Sequence, residues 1–102
     1  LIIDDLDNFN KIQLNMSAYE DKVIHCKDKN ETMTIIKMLE LQGYDYAIPF
    51  KSLTKFAEDF AEENGWNGCW RICKTRGIAY NQDVNHWFEN GYEIIEYENL
   101  WQ

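Results

Sequence analysis

Two histidines, three cysteines and a large surplus of carboxylates are the side chains here with chemistry to offer. Cys69 and Cys73 are separated by three residues, a spacing within the range of zinc ligands, but no second knuckle of that kind accompanies them. Together with Cys26 and either His25 or His86 they could complete a four-ligand site. The alternatives are a disulfide, or three reduced thiols packed as small hydrophobes. A thiol–imidazole pair for nucleophilic catalysis could join Cys26 to His86, or Cys73 to either histidine. His25 and Cys26 are neighbours on a strand and point to opposite faces, so they cannot pair with each other. The sequence carries no phosphate-cradling, dinucleotide or zinc-protease motif, and no G-x-S-x-G turn. The expectation is a protein that is not an enzyme and uses no cofactor or metal.

The carboxylates say more. Eighteen acids against ten bases give a net charge of -8, which disfavours direct binding to DNA or RNA and favours partners with basic surfaces. The acids fall in three clusters. Glu58, Asp59, Glu62 and Glu63 would share the outer side of one helix. Asp4, Asp5 and Asp7 form a second group, and Glu93, Glu96 and Glu98 a third. One helical turn is about 5.4 Å and phosphates along one strand rise about 3.4 Å apart, so a row of helical acids can imitate a phosphate ladder. The competing reading is a solvated face. Trp87, Trp101, Tyr92 and Tyr97 lie near the C-terminal acids, where aromatics beside charge can anchor an interface. Trp70 and Phe88 are expected in the core, and Trp101 at the surface.

The elements that must position these residues follow from periodicity. Leu1, Ile2, Leu6 and Phe9 suggest a short helix at 2–11. Residues 22–27 read as a strand. A helix at 30–42 follows, capped by Asp28 or Asn30 and ended by Gly43, with Thr32, Ile35, Ile36 and Leu39 inward and Met33 and Leu41 at the flanks. Residues 44–50 are irregular, closed by Pro49. Ser52 caps a helix at 53–64 whose stripe is Leu53, Phe56, Ala57, Phe60 and Ala61. Strands at 69–74 and 78–82 form a hairpin, a helical turn covers 86–90 and a last strand spans 92–97. The result is a single α+β domain at 21–102 behind a segment at 1–20. Its sheet has about four mostly antiparallel strands, with two main helices packed on one face. A chain of this length buries about two-thirds of its surface. No apolar run is long enough to span a bilayer, and none resembles a signal peptide, so the expected compartment is the cytoplasm.

Several blocks resemble small phage and prophage accessory proteins. They are His25 to Glu31, the helix ending at Gly43-Tyr44, Cys69-Trp70-Arg71-Ile72, Ile78-Ala79-Tyr80, and Gly91 to Leu100. The resemblance implies an anti-defence protein working in a host cell, of the kind that inhibits Cas effectors, restriction enzymes or repair enzymes. The expected partner is a host protein with a basic nucleic-acid-binding surface, met by Glu58, Asp59, Glu62, Glu63, Glu93, Glu96 and Trp101. The alternative is a structural or regulatory module that self-associates, possible homodimer included, or binds another phage protein through Met33, Leu41 and the N-terminal segment.

Overall fold

The computed structural model describes residues 14–45 and 52–101, without the side chain of Trp101. The expected helix at 2–11, the acids Asp4, Asp5 and Asp7, and the residues around Pro49 lie outside the described residues. Within them the order is a 3-10 turn (Met16–Tyr19), β1 (Val23–Cys26), α1 (Lys29–Leu41), α2 (Leu53–Asn64), β2 (Gly68–Ile72), β3 (Ile78–Asn81), α3 (Val84–Glu89), β4 (Ile94–Glu96) and a closing 3-10 turn (Tyr97–Trp101). The domain is α+β, with a four-stranded sheet in the order β3-β2-β1-β4. β2 is antiparallel to β1 and β3, and β4 runs parallel to β1. The sheet is therefore mixed, with antiparallel pairing predominant.

Alternation along β1 sorts the sheet's two faces. Ile24 and Cys26 join Trp70, Ile72, Ile78 and Ile95 beneath α1 and α2. Val23 shares the opposite face with Cys69, Trp87, Ala79 and Ile94. α1 starts at a reciprocal cap, in which Glu31 N–H donates to Asp28 Oδ1 at 3.0 Å and Lys27 N–H donates to Glu31 Oε1 at 2.8 Å. Two orphan donors at the helix start are thereby satisfied. The helix closes with Gly43 at φ +89°, the left-handed conformation that glycine adopts without steric cost.

α1 is more deeply buried than its periodicity suggests. Thr32, Met33, Thr34, Ile35, Ile36, Met38 and Leu39 are all buried, because α1 packs both on α2 and on β1. Met33, expected at the flank of a polar face, is 7% exposed, while Leu41 is 72% exposed. A self-association surface built on both residues thus loses Met33 to the core. The buried hydroxyls are satisfied: Thr32 donates to the Trp66 carbonyl at 3.1 Å and Thr34 to the Asn30 carbonyl at 2.8 Å, as buried polar groups require. Glu40 reaches from α1 to α2, accepting from Thr54 N–H and Thr54 Oγ1, each at 3.1 Å. Met16 is fully buried in the main core, and its N–H donates to Gln42 Oε1 at 2.8 Å. The segment at 14–20 is therefore part of the packed body.

β2 and β3 join through a tight turn in which Cys73 N–H donates to the Gly77 carbonyl at 3.0 Å. Arg76 holds φ +68° there, a conformation that costs a side-chain-bearing residue about 1 kcal/mol. Its guanidinium offsets that cost: Nη1 donates to the Gln42 carbonyl at 2.6 Å and the group lies 5.2 Å over the Tyr44 ring. The last turn of α1 is thereby tied to the hairpin.

From β3 at one edge the chain must cross the sheet to β4 at the other. α3 makes that crossing over the face opposite α1 and α2. Trp87 plugs it, 5% exposed, against Val23 and Cys69, with Nε1 donating to the Asn81 carbonyl at 3.2 Å. Phe88 is 72% exposed and is not a core residue. One residue beyond Trp87 the helix has turned about 100°, so only one of these two rings can face the sheet. Among the described residues no helix is long and apolar enough to cross a membrane.

Candidate functional site

The structure divides the acids into two populations. On α2, Ser52 Oγ accepts from Lys55 N–H at 3.1 Å and starts the helix. Leu53, Ala57 and Ala61 are buried. Phe60 packs edge-on against Tyr80 with centroids 4.7 Å apart. With this stripe inward, Glu58, Asp59, Glu62 and Glu63 line the remaining side. Lys55 Nζ lies 3.3 Å from Asp59 Oδ1, one turn away, and that hydrogen bond, with the Asp59 charge, raises the lysine pKa. Among the described residues no cation makes an ion pair with Glu58, Glu62 or Glu63. Like charges three and four residues apart cost a helix a few tenths of a kcal/mol per pair.

Around β4 the acids are matched to basic side chains on and beside the neighbouring strand β1. Lys22 lies 3.6 Å from Glu93, His25 2.9 Å from Glu96, and Lys27 3.5 Å from Glu98. Parallel pairing puts β1 and β4 in register, with His25 opposite Glu96, and so lines up the three pairs along one seam. Glu93 and Glu96, expected at a partner interface, lie in and beside a three-residue edge strand and pair with the β1 side. Glu96 also lies on the α3 face of the sheet, whereas α2 covers the other. The expected site residues therefore do not converge: the four α2 acids share one surface, and the β4 acids lie elsewhere. Trp101 belongs to the closing turn, and its side chain is outside the described residues.

The His25–Glu96 contact is the most buried of these pairs, with side-chain exposures of 14% and 36%. Nδ1 meets the two carboxylate oxygens at 2.9 and 3.1 Å, and Nε2 faces Asn67 Oδ1 at 2.8 Å. Because a carboxylate only accepts, Nδ1 carries the hydrogen. The residues Asn67, His25 and Glu96 thus clamp the α2–β2 loop, β1 and β4 together. Glu96→Gln keeps the shape and removes the charge. Its urea midpoint is expected to fall by an amount equivalent to about 1 kcal/mol, with an unchanged slope. An unchanged midpoint would remove the clamp's structural role.

No family model, curated protein or solved structure matches the chain. The chemistry must therefore be judged on the residues alone. Cys69 is His25's neighbour across β1 and β2, so thiol, imidazole and Glu96 carboxylate stand on three adjacent strands. Burial pushes the Cys69 thiol up to about 11, with Glu96 and Asp83 adding to it, so the nucleophilic thiolate is suppressed. The imidazole nitrogens are taken by Glu96 and Asn67, and Trp87 covers the thiol. Cys26 is fully buried on the other face, its pKa also raised by burial. The three cysteines are free, and with Cys26 and Cys69 on opposite faces the four-ligand arrangement has no common centre.

A second polar group sits at the opposite end of this face. Arg71 Nη2 donates to Asp21 Oδ1 at 3.0 Å, Lys74 lies 3.3 Å from Asp21 Oδ2, and the guanidinium rests 4.8 Å over Tyr92. The Arg71 hydrogen bond holds the Asp21 carboxyl below its ordinary pKa, with Lys74 adding to the effect. Asp21 therefore contributes stability above its unfolded pKa, which is lost as pH falls through its folded one.

The α2 acids were legible from sequence as one helix face. The pairing of the β4 acids was not, because it depends on a parallel neighbour more than sixty residues away in sequence. Glu40, which joins the two main helices, was likewise hidden: on α1 alone it reads as a surface charge.

Proposed function

We propose that this chain is a non-enzymatic binding protein that docks the outer face of α2 on a lysine- and arginine-rich surface built to hold nucleic acid. The carrying observation is that, among the described residues, Glu58, Glu62 and Glu63 lie together without ion-pair partners, while the acids around β4 each face a basic side chain. A helix that bears this repulsion gains it back when a partner supplies the missing positive charge. The net charge of -8 extends that attraction beyond contact distance and speeds encounter. In its most specific form, following the resemblance of the short blocks to phage accessory proteins, the protein is a phage-encoded inhibitor of a host defence protein, a Cas effector or similar nuclease. It would act in the host cytoplasm by occupying the channel meant for phosphates.

The test is competition. The tagged chain captures its partner from a host lysate, and the purified partner is then titrated with duplex DNA at rising concentrations of the chain. The apparent DNA affinity is expected to fall in proportion to the chain added, with no ternary species. A complex holding chain and DNA together would contradict the proposal.

A further inference from the structure

The end of α1 and the β2–β3 turn flank a cavity. Gly43 and Asp45 line one side, and Thr75, Arg76, Gly77 and Ile78 line the other. Its volume is about 680 Å³, within the roughly 300–1,000 Å³ of small-molecule sites. The two walls are tied to each other. Asp45 N–H donates to the Arg76 carbonyl at 2.9 Å, and Arg76 Nη1 donates to the Gln42 carbonyl at 2.6 Å. The cavity is thus already formed, which lowers the ordering cost of binding. The two glycines put no side chain into it. A Cβ added at either would come no closer than 3.7 Å to any heavy atom beyond its chain neighbours, so the space beside them is open.

Arg76 sets the chemistry of this cavity. In a chain with eighteen acids, it makes no ion pair among the described residues. Gln42 and Tyr44 hold its guanidinium by Nη1 and by one face, which fixes the group without using all its donors. The Nε–Nη2 edge, two parallel N–H donors matched to a carboxylate, has no partner among the described residues. The Thr75 hydroxyl has none there either. Asp45, the one acid in the lining, has an interaction of its own. Ile78, 7% exposed, adds apolar surface. One fork and one hydroxyl suit a planar carboxylate and are too few for the oxygens of a phosphate. The bare glycine backbone and Ile78 offer contact that an inorganic anion leaves unused. We infer that this cavity binds a small organic carboxylate, with its charged group on the Nε–Nη2 edge of Arg76 and its apolar body against Ile78, Gly43 and Gly77.

NMR titration of the whole chain with benzoate tests the site. The amide signals of Gly43, Gly77 and Ile78 are expected to shift saturably, with a Kd on the order of 1 mM for so small a probe. Benzamide keeps the shape without the charge, and acetate keeps the charge without the ring. Each is expected to bind at least about tenfold more weakly, the first for want of the charge-assisted bonds and the second for want of apolar contact. Arg76→Gly removes the fork, and glycine takes the φ of +68° without steric cost. Its benzoate shifts are expected to vanish while the signals of Ile94 to Glu96, at the far edge of the sheet, keep their wild-type positions. Arg76→Lys keeps the charge as a single point and is expected to lose about tenfold in affinity. Equal affinity for benzoate and benzamide would overturn the inference, as would benzoate binding that survives in Arg76→Gly. So would inorganic phosphate or acetate binding as tightly as benzoate, or benzoate shifts spread over the surface lysines and missing from these three amides.

Discussion

Gly68→Ala is expected to unfold roughly 10–20 °C below the wild type, a loss of about 2–3 kcal/mol from one added methyl group. Gly68 opens β2, and the Tyr80 ring lies directly over it. A Cβ at position 68 would fall 2.6 Å from Tyr80 Cζ, with other ring atoms closer still. The ring has little freedom to yield. It is wedged against Trp70 and Phe60, each with centroids 4.7 Å away, and Trp70 is itself 1% exposed. Either Tyr80 leaves the cluster and gives up its burial, or β2 shifts and Trp70 loses its packing beneath α2. Calorimetry on Gly68→Ala, Tyr80→Ala and the double variant separates steric overlap from a general loss of strand structure. Once the ring is gone, the methyl group has nothing to displace, so the double variant should be more stable than the summed losses predict by at least about 1 kcal/mol. Strict additivity would mean that the overlap is not the cause.

The triple variant Glu58→Lys, Glu62→Lys, Glu63→Lys is expected to bind its partner about a hundredfold more weakly, taking about 1 kcal/mol for each reversed charge. Its melting temperature should not fall. None of the three glutamates makes an ion pair among the described residues, and lysines near the end of a helix suit its dipole. The β4 acids form the internal control. Glu93→Gln with Glu98→Gln should leave partner affinity near the wild-type value, because those carboxylates already face Lys22 and Lys27. Isothermal calorimetry and thermal melts on both variants read the two effects separately. Equal losses of affinity from both would place the partner across the β4 seam and remove α2 from its central position.

How far the sequence reveals these features depends on the distance between the interacting residues. The caps, the glycine stops and the apolar stripe of α2 are local patterns: Ser52 caps α2 as read, and Asp28, one of the two residues expected for α1, is its cap. The α2 acids inherit that legibility, since one helix fixes them all. Where two elements decide the outcome, the pattern is insufficient. Met33 is buried because α2 covers a side of α1 that periodicity leaves polar. Phe88 is exposed because Trp87, its neighbour, already fills the single position that α3 can press on the sheet. Glu96 looks like one more surface acid until β4 is placed parallel to β1 and His25 comes within hydrogen-bond distance. Arg76 occupies a backbone conformation suited to glycine, and only the position of Gln42 and Tyr44 gives the reason.

The central claim, that the α2 acids replace phosphates on a basic partner surface, is met most directly by the salt dependence of the complex. Partner affinity is measured for the wild type and the triple lysine variant across a range of ionic strength. The wild-type Kd is expected to rise steeply with salt, as screening removes the attraction, and the variant is expected to give a much flatter line that converges on the wild type at high salt. Parallel lines with the same slope would contradict the account, because the binding charge would then lie elsewhere than Glu58, Glu62 and Glu63.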